Sequence, residues 1–90
     1  MNQRINFRIL RRPEVLELTG WSKSTLYNRI KDGLIPPPIS LGLRSIGFNS
    51  IEIYSTLDAL CQEQSPEQIK ALVSDLVQQR KNGSYGRQHG

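Results

Sequence analysis

The chain has 90 residues, twelve Lys and Arg against eight Asp and Glu, a formal net charge of +4 and a single cysteine. This length supports one compact unit with a modest core, and a lone cysteine excludes an internal disulfide framework or a cysteine-rich metal site. No run of about 18 apolar residues occurs, and Met1 is followed by Asn, Gln and Arg rather than by an apolar leader, so a cytoplasmic protein with no membrane partner is expected. The positive charge is uneven: residues 1–48 hold eight basic residues (Arg4, Arg8, Arg11, Arg12, Lys23, Arg29, Lys31, Arg44) against three acidic ones, whereas residues 49–81 hold three against five. A positive field confined to one half is the pattern of a molecule with one end turned toward a polyanion.

Along the chain, Phe7 to Leu10 form a short apolar run. Pro13 then supplies a preset first-turn residue for a helix reaching about Thr19, with Val15, Leu16 and Leu18 as its buried side. Gly20 suits the left-handed position just past a helix end. Ser22 is the next N-cap, Trp21 before it can staple onto Leu26, and Leu26 and Ile30 stand four apart as the core edge of a second helix that Gly33 ends. Two short helices joined through a Gly-Trp-Ser turn form the helix-turn-helix layout.

Pro36, Pro37 and Pro38 stop any further helix. Ile39, Leu41 and Leu43 alternate with small residues, as do Ile46 and Phe48, which predicts two short strands with their tip around Gly42 to Ser45. A third helix is expected from Asn49 or Ser50, with Glu52 placed to close a capping box and Ile51, Tyr54, Leu57, Leu60 and Cys61 turned inward. Ser65-Pro66-Glu67-Gln68 opens a fourth, in which Ile69, Leu72, Val73, Leu76 and Val77 make one apolar stripe. Asn82-Gly83 stops it, and the tail is too polar to offset its ordering entropy. The expected fold is therefore mainly α: a winged helix-turn-helix with a short β-hairpin wing over residues 1–62, an added amphipathic helix over 65–82 of the same unit, and a disordered tail over 83–90.

A helix-turn-helix reader docks one face of its second helix on the first and offers the other to DNA. With Leu26 and Ile30 inward at 100° per residue, Ser24, Thr25, Asn28 and Lys31 point away, while Lys23, Tyr27 and Arg29 lie on the flanks. Asn28 has the geometry to pair with adenine, and Arg29 or Lys31 with guanine or phosphate. Ser24 and Thr25, near the helix N-terminus, suit phosphates. Arg44 at the wing tip can reach a neighbouring minor groove or phosphate, and Arg8, Arg11 and Arg12 are further phosphate candidates. Any surface helix carries polar groups, and a flank tyrosine more often packs on the core edge, so the pattern gains its weight from the whole arrangement. For catalysis the sequence offers no nucleophile motif, phosphate loop or metal-ligand spacing. His89 stands alone, Cys61 reads as a small buried hydrophobe, and Glu14 and Glu17 read as solvated charge, so no enzyme activity, catalytic residue, metal or cofactor is expected.

The string Arg8-Ile9-Leu10-Arg11-Arg12-Pro13-Glu14-Val15, then Thr19-Gly20-Trp21-Ser22-Lys23-Ser24-Thr25-Leu26-Tyr27, then Gly42-x-Arg44-x-x-Gly47-Phe48 and Glu52, resembles the AlpA family of prophage-associated DNA-binding regulators, relatives of phage excisionases and MerR-like winged helices. The likeness covers about residues 8–60. It implies a sequence-specific transcriptional regulator of a prophage or other mobile element, nucleoid-associated, bound to double-stranded DNA through helix 22–32 and the wing 39–48. Ser24, Thr25 and Tyr27 match the family's helix motif and Arg44 its wing arginine, while Trp21 and Phe48 depart from its usual residues. An excisionase-type factor that bends DNA is an alternative. From another class comes a protein-interaction module that would use Ile69, Leu72, Val73, Leu76 and Val77 to bind a second copy, an integrase or another protein.

Overall fold

The computed structural model describes residues 7–82; Arg4, His89 and the tail expected to be disordered lie outside them. The elements run β1 (Ile9–Leu10), α1 (Arg12–Thr19), α2 (Lys23–Lys31), β2 (Ile39–Gly42), β3 (Ser45–Asn49), α3 (Ser50–Cys61) and α4 (Pro66–Lys81). The fold is mainly α, a winged helix-turn-helix with an additional C-terminal helix.

The short apolar run at the start becomes an edge strand. β1 pairs antiparallel with β3 at Ile9↔Asn49 and Leu10↔Phe48, giving the order β1-β3-β2. The backbone N–H of Arg8 donates to Ser50 Oγ and its carbonyl accepts from the Ser50 N–H, at 2.9 and 3.0 Å. Gly47 makes this close pairing feasible: a Cβ there would collide with the Ile9 side chain and press on Leu41.

Between α1 and α2 the chain turns sharply. Gly20 takes φ 75° and its N–H donates to Leu16 O at 2.8 Å, a conformation in which a residue with Cβ is strained. Thr19 Oγ1 donates to Val15 O and accepts from the Trp21 N–H at 3.1 Å, and Ser22 Oγ accepts from the Thr25 N–H at 3.1 Å to cap α2.

β2 and β3 form the wing, in register at Ile39↔Gly47, Ser40↔Ile46 and Gly42↔Ser45 with an irregularity at Leu41. Leu43 and Arg44 are the two-residue tip, with φ 47° and 66°. Both central residues of a type I′ turn need positive φ, which is why Asn-Gly is favoured there. Leucine and arginine bear a cost of roughly 1–2 kcal/mol each in that region.

Leu10, Val15, Leu26, Ile35, Phe48 and Ile53 form the main core, bordered by Leu16, Trp21, Ile30 and Leu57. A second cluster joins Ala59 of α3 to Ile69 and Val73 of α4, with Leu34, Leu60, Leu72 and Val77 at its edge. Ile69, Val73 and Leu76 are thus buried within this chain, and Leu72 and Val77 are half-buried.

Three expectations for buried faces are corrected. Leu18 is 48% exposed, because the eight-residue α1 buries only Val15, with Leu16 beside it. Tyr54 is 47% exposed and Cys61 is exposed, whereas α3 buries Ser50, Glu52, Ile53, Thr56 and Ala59. The helix lies between two clusters, and small residues there let its neighbours approach closely; Thr56 Oγ1 satisfies itself on Glu52 O at 2.8 Å. Glu52 closes no capping box. Asn49 Oδ1 caps α3 by accepting from the N–H groups of Ile51 and Glu52, which frees the Glu52 side chain to turn inward to Arg80 of α4. There Arg80 Nε and Nη2 donate to the two carboxylate oxygens at 2.9 and 2.6 Å, and Nη2 also donates to Pro37 O at 2.8 Å. Such a forked pair is strong and directional, and it satisfies a carboxylate that is 1% exposed.

Candidate nucleic-acid interface

α2 positions most of the candidate residues. Its inward stripe is Leu26, fully buried, with Ile30 at the edge of the same core. On the opposite side Lys23, Ser24, Asn28 and Lys31 are exposed. The helix has no acidic residue in its first turn and carries Arg29 and Lys31 in its last, so no side-chain carboxylate offsets the positive end of its dipole.

The remaining α2 candidates are engaged with neighbours. Thr25 is half-buried and its Oγ1 accepts from Ser22 Oγ at 3.0 Å. Tyr27 is half-buried, and its hydroxyl accepts from Arg12 Nη1 at 3.4 Å. Arg29 lies over the Trp21 ring, its guanidinium carbon 4.5 Å from the ring centroid, with a buried Nε that has no hydrogen-bond partner. A guanidinium held over an indole has lost much of its freedom before any ligand arrives.

The arginines ahead of Pro13 divide their work. Arg8 Nη1 pairs with Glu14 Oε2 at 3.2 Å, both side chains being substantially exposed, a contact of little energetic weight. Arg11 Nη1 donates to Ser45 Oγ and to Ile46 O, at 3.0 and 2.9 Å, and so braces the wing. Arg12 turns the other way, to Tyr27 of α2. Two consecutive residues at the start of α1 therefore hold the wing on one side and α2 on the other. Arg44 is exposed at the wing tip.

Glu14 belongs to the helix start. The Arg11 backbone N–H donates to its Oε1 at 2.8 Å, and that bond first, then Arg8, holds its carboxyl below the usual range. Glu14 and Glu17 also line a groove of about 330 Å³ with Arg8, Leu18 and Tyr54, but Glu14 is already committed to its cap and to Arg8. Among the described residues no group of three or more His, Cys, Asp or Glu is placed to hold a metal, and no helix is long and apolar enough to cross a membrane.

Sequence reasoning placed Ser24, Asn28 and Lys31 on the outer face of α2 and Arg44 at the tip; Thr25, expected to point away with them, is half-buried instead, and the Trp21–Arg29 stack and the Arg11 brace were missed. The first had no periodic signal, because Trp21 lies ahead of the Ser22 cap and outside α2. The second had none, because it joins residues 34 apart.

A family model described as prophage CP4-57 regulatory protein (AlpA) matches residues 8–58. The uncharacterized protein ORF88 of Enterobacteria phage P4 is 44% identical over 46 residues, covering 51% of this chain and 52% of that relative. The DNA-binding transcriptional activator AlpA of Escherichia coli (strain K12) is 34% identical over 68 residues, 69% of this chain and 97% of that protein. The match thus spans about half the length of the phage P4 relative and nearly all of the E. coli one. No solved structure matches the chain. The family match ends inside α3, so α4 lies beyond it. With more than half of its residues matched, the chain belongs to the prophage CP4-57 regulatory protein (AlpA) family.

Proposed function

We propose that this protein is a sequence-specific DNA-binding transcriptional regulator of a prophage or related mobile element, with α2 in the major groove and the wing on adjacent DNA. The observation that carries the reading is the placement of Arg11 and Arg12, which tie the wing and α2 to one end of α1. This arrangement supports a common face for Lys23, Ser24, Asn28 and Lys31 of α2 and Arg44 of the wing. The E. coli relative's description as a DNA-binding activator supports the same reading.

On that face Asn28 offers an amide to adenine N6 and N7 and Lys31 offers donors to guanine or phosphate, while Arg29, on the flank over Trp21, offers the rest of its guanidinium beside them. Ser24 and the N-terminal N–H groups of α2 serve backbone phosphates, aided by the helix dipole. Thr25, Tyr27, Arg11 and Arg12 contribute chiefly by holding the face in shape. The interaction-module alternative loses ground, because Ile69, Val73 and Leu76 are already spent inside the chain. A mobility-shift titration on the DNA flanking the protein's own gene is the test. A retarded complex that weakens steeply between about 50 and 200 mM salt supports the reading; no complex across that range contradicts it.

A further inference from the structure

Leu43 at the wing tip is a side chain that neither the core nor the proposed DNA contacts account for. Leu43 is 100% exposed, with no other large hydrophobic residue of the described chain above 48%. Its φ of 47° and that of Arg44, 66°, place both in the left-handed region, where an Asn-Gly pair would sit without strain. Strain retained against an easy remedy, at a protruding position, is a reason to look for a ligand. The tip is also stiffly mounted: Arg11 grips Ser45 Oγ and Ile46 O, immediately after the tip.

We propose that Leu43 is an apolar wedge that enters a base step from the minor groove and kinks the DNA, while Arg44 beside it holds the backbone or the groove floor. Leucine is among the side chains that unstack base steps in this way, and the resulting kinks are on the order of 20–90°. A wedge has to press on a stacked duplex without folding back, and the Arg11 brace supplies that resistance. The neighbouring cation selects a polyanion over an apolar protein surface as the partner. Flexible pyrimidine–purine steps such as TA and CA unstack at least cost, so the wedge would also add sequence preference at a position where no base edge is read. The inference rests on the DNA-binding reading above.

The test places 2-aminopurine at successive positions of the bound DNA and donor and acceptor dyes at its ends, and compares the unaltered protein with Leu43→Asn and Leu43→Met. Asparagine relieves the left-handed strain and removes the wedge, so this variant stays folded; its thermal melting is measured alongside. Expected is a fluorescence rise at one step and shortening of the end-to-end distance with the unaltered protein and Leu43→Met. With Leu43→Asn the complex still forms, but the rise and the shortening are lost. A complex on straight, stacked DNA overturns the wedge and leaves the DNA-binding reading standing, as does a bend that Leu43→Asn fully preserves. Loss of multi-copy complexes with an unchanged bend would assign Leu43 to a second copy of the chain and overturns the wedge as well. No complex at all overturns both readings.

Discussion

The Arg11 guanidinium donates to Ser45 Oγ at 3.0 Å and joins the first residue of β3 to the N-terminus of α1. A hairpin wing is a two-stranded element with little core of its own, and isolated hairpins are marginal. The order of this one therefore depends on the β1 pairing at its far end and on Arg11 near its tip.

Arg11→Ala is expected to loosen residues 42–46 while leaving the core intact. Removal of two partly solvated hydrogen bonds costs on the order of 0.5–1.5 kcal/mol each, and amide exchange at Ser45 and Ile46 reads the change. Faster exchange confined to the wing agrees with the brace; unchanged exchange there would mean that Arg11 plays no such part.

Glu52 and Arg80 make a second long-range claim. Because the carboxylate is buried on the α3 side of the joint, Glu52→Gln or Arg80→Ala should destabilise the protein by about 3 kcal/mol. For a domain of this size each kcal/mol is roughly 4–8 °C in Tm. The double variant Glu52→Met with Arg80→Met should recover part of the loss, since two apolar side chains leave no charge buried alone. Melting of the three proteins decides it, and a double variant no better than the singles would count against this account of the joint.

Trp21 has Arg29 as its partner, the guanidinium carbon 4.5 Å from the ring centroid. Trp21→Leu keeps an apolar edge but removes the aromatic face. A stack worth about 0.5–1 kcal/mol corresponds to roughly a 2–5-fold loss of affinity for the specific site. If Arg29 reads a base, the loss should vanish when that one base pair is changed, whereas a merely structural Trp21 would weaken all sites alike. Binding titrations over single-base variants of the site separate the two outcomes, with Trp21→Phe expected to restore most of the affinity.

Local signals made most of this fold legible. Ser22 and Ser65 are caps, Gly20 ends α1, Gly33 follows the end of α2, and the alternation from Ile39 to Phe48 is a hairpin. The faces of α3 were harder to read, because apolar character and helical spacing suggested Tyr54 and Cys61 as inward residues while packing against two partners chose Thr56 and Ala59. Glu52 shows the same limit. Its spacing from Asn49 fits a capping box, and only the arrival of Arg80 from 28 residues away gives it a better partner. At the candidate site the exposed face of α2 follows from helical period alone. The engagements of Arg11, Arg12 and Arg29 do not, since each depends on where a separate element is placed.

The central claim is that α2 and the wing together form one DNA-reading face. It is tested most directly by mobility shift with the triple variant Asn28→Ala, Arg29→Ala, Arg44→Ala on the DNA flanking the protein's own gene, with circular dichroism confirming the fold. Each lost base contact of Asn28 and Arg29 costs about 1–3 kcal/mol of discrimination, and Arg44→Ala removes a backbone or minor-groove contact besides, so the triple variant should retain at most weak binding that no longer distinguishes this DNA from an unrelated sequence. Specific binding undiminished by the three substitutions would contradict the account.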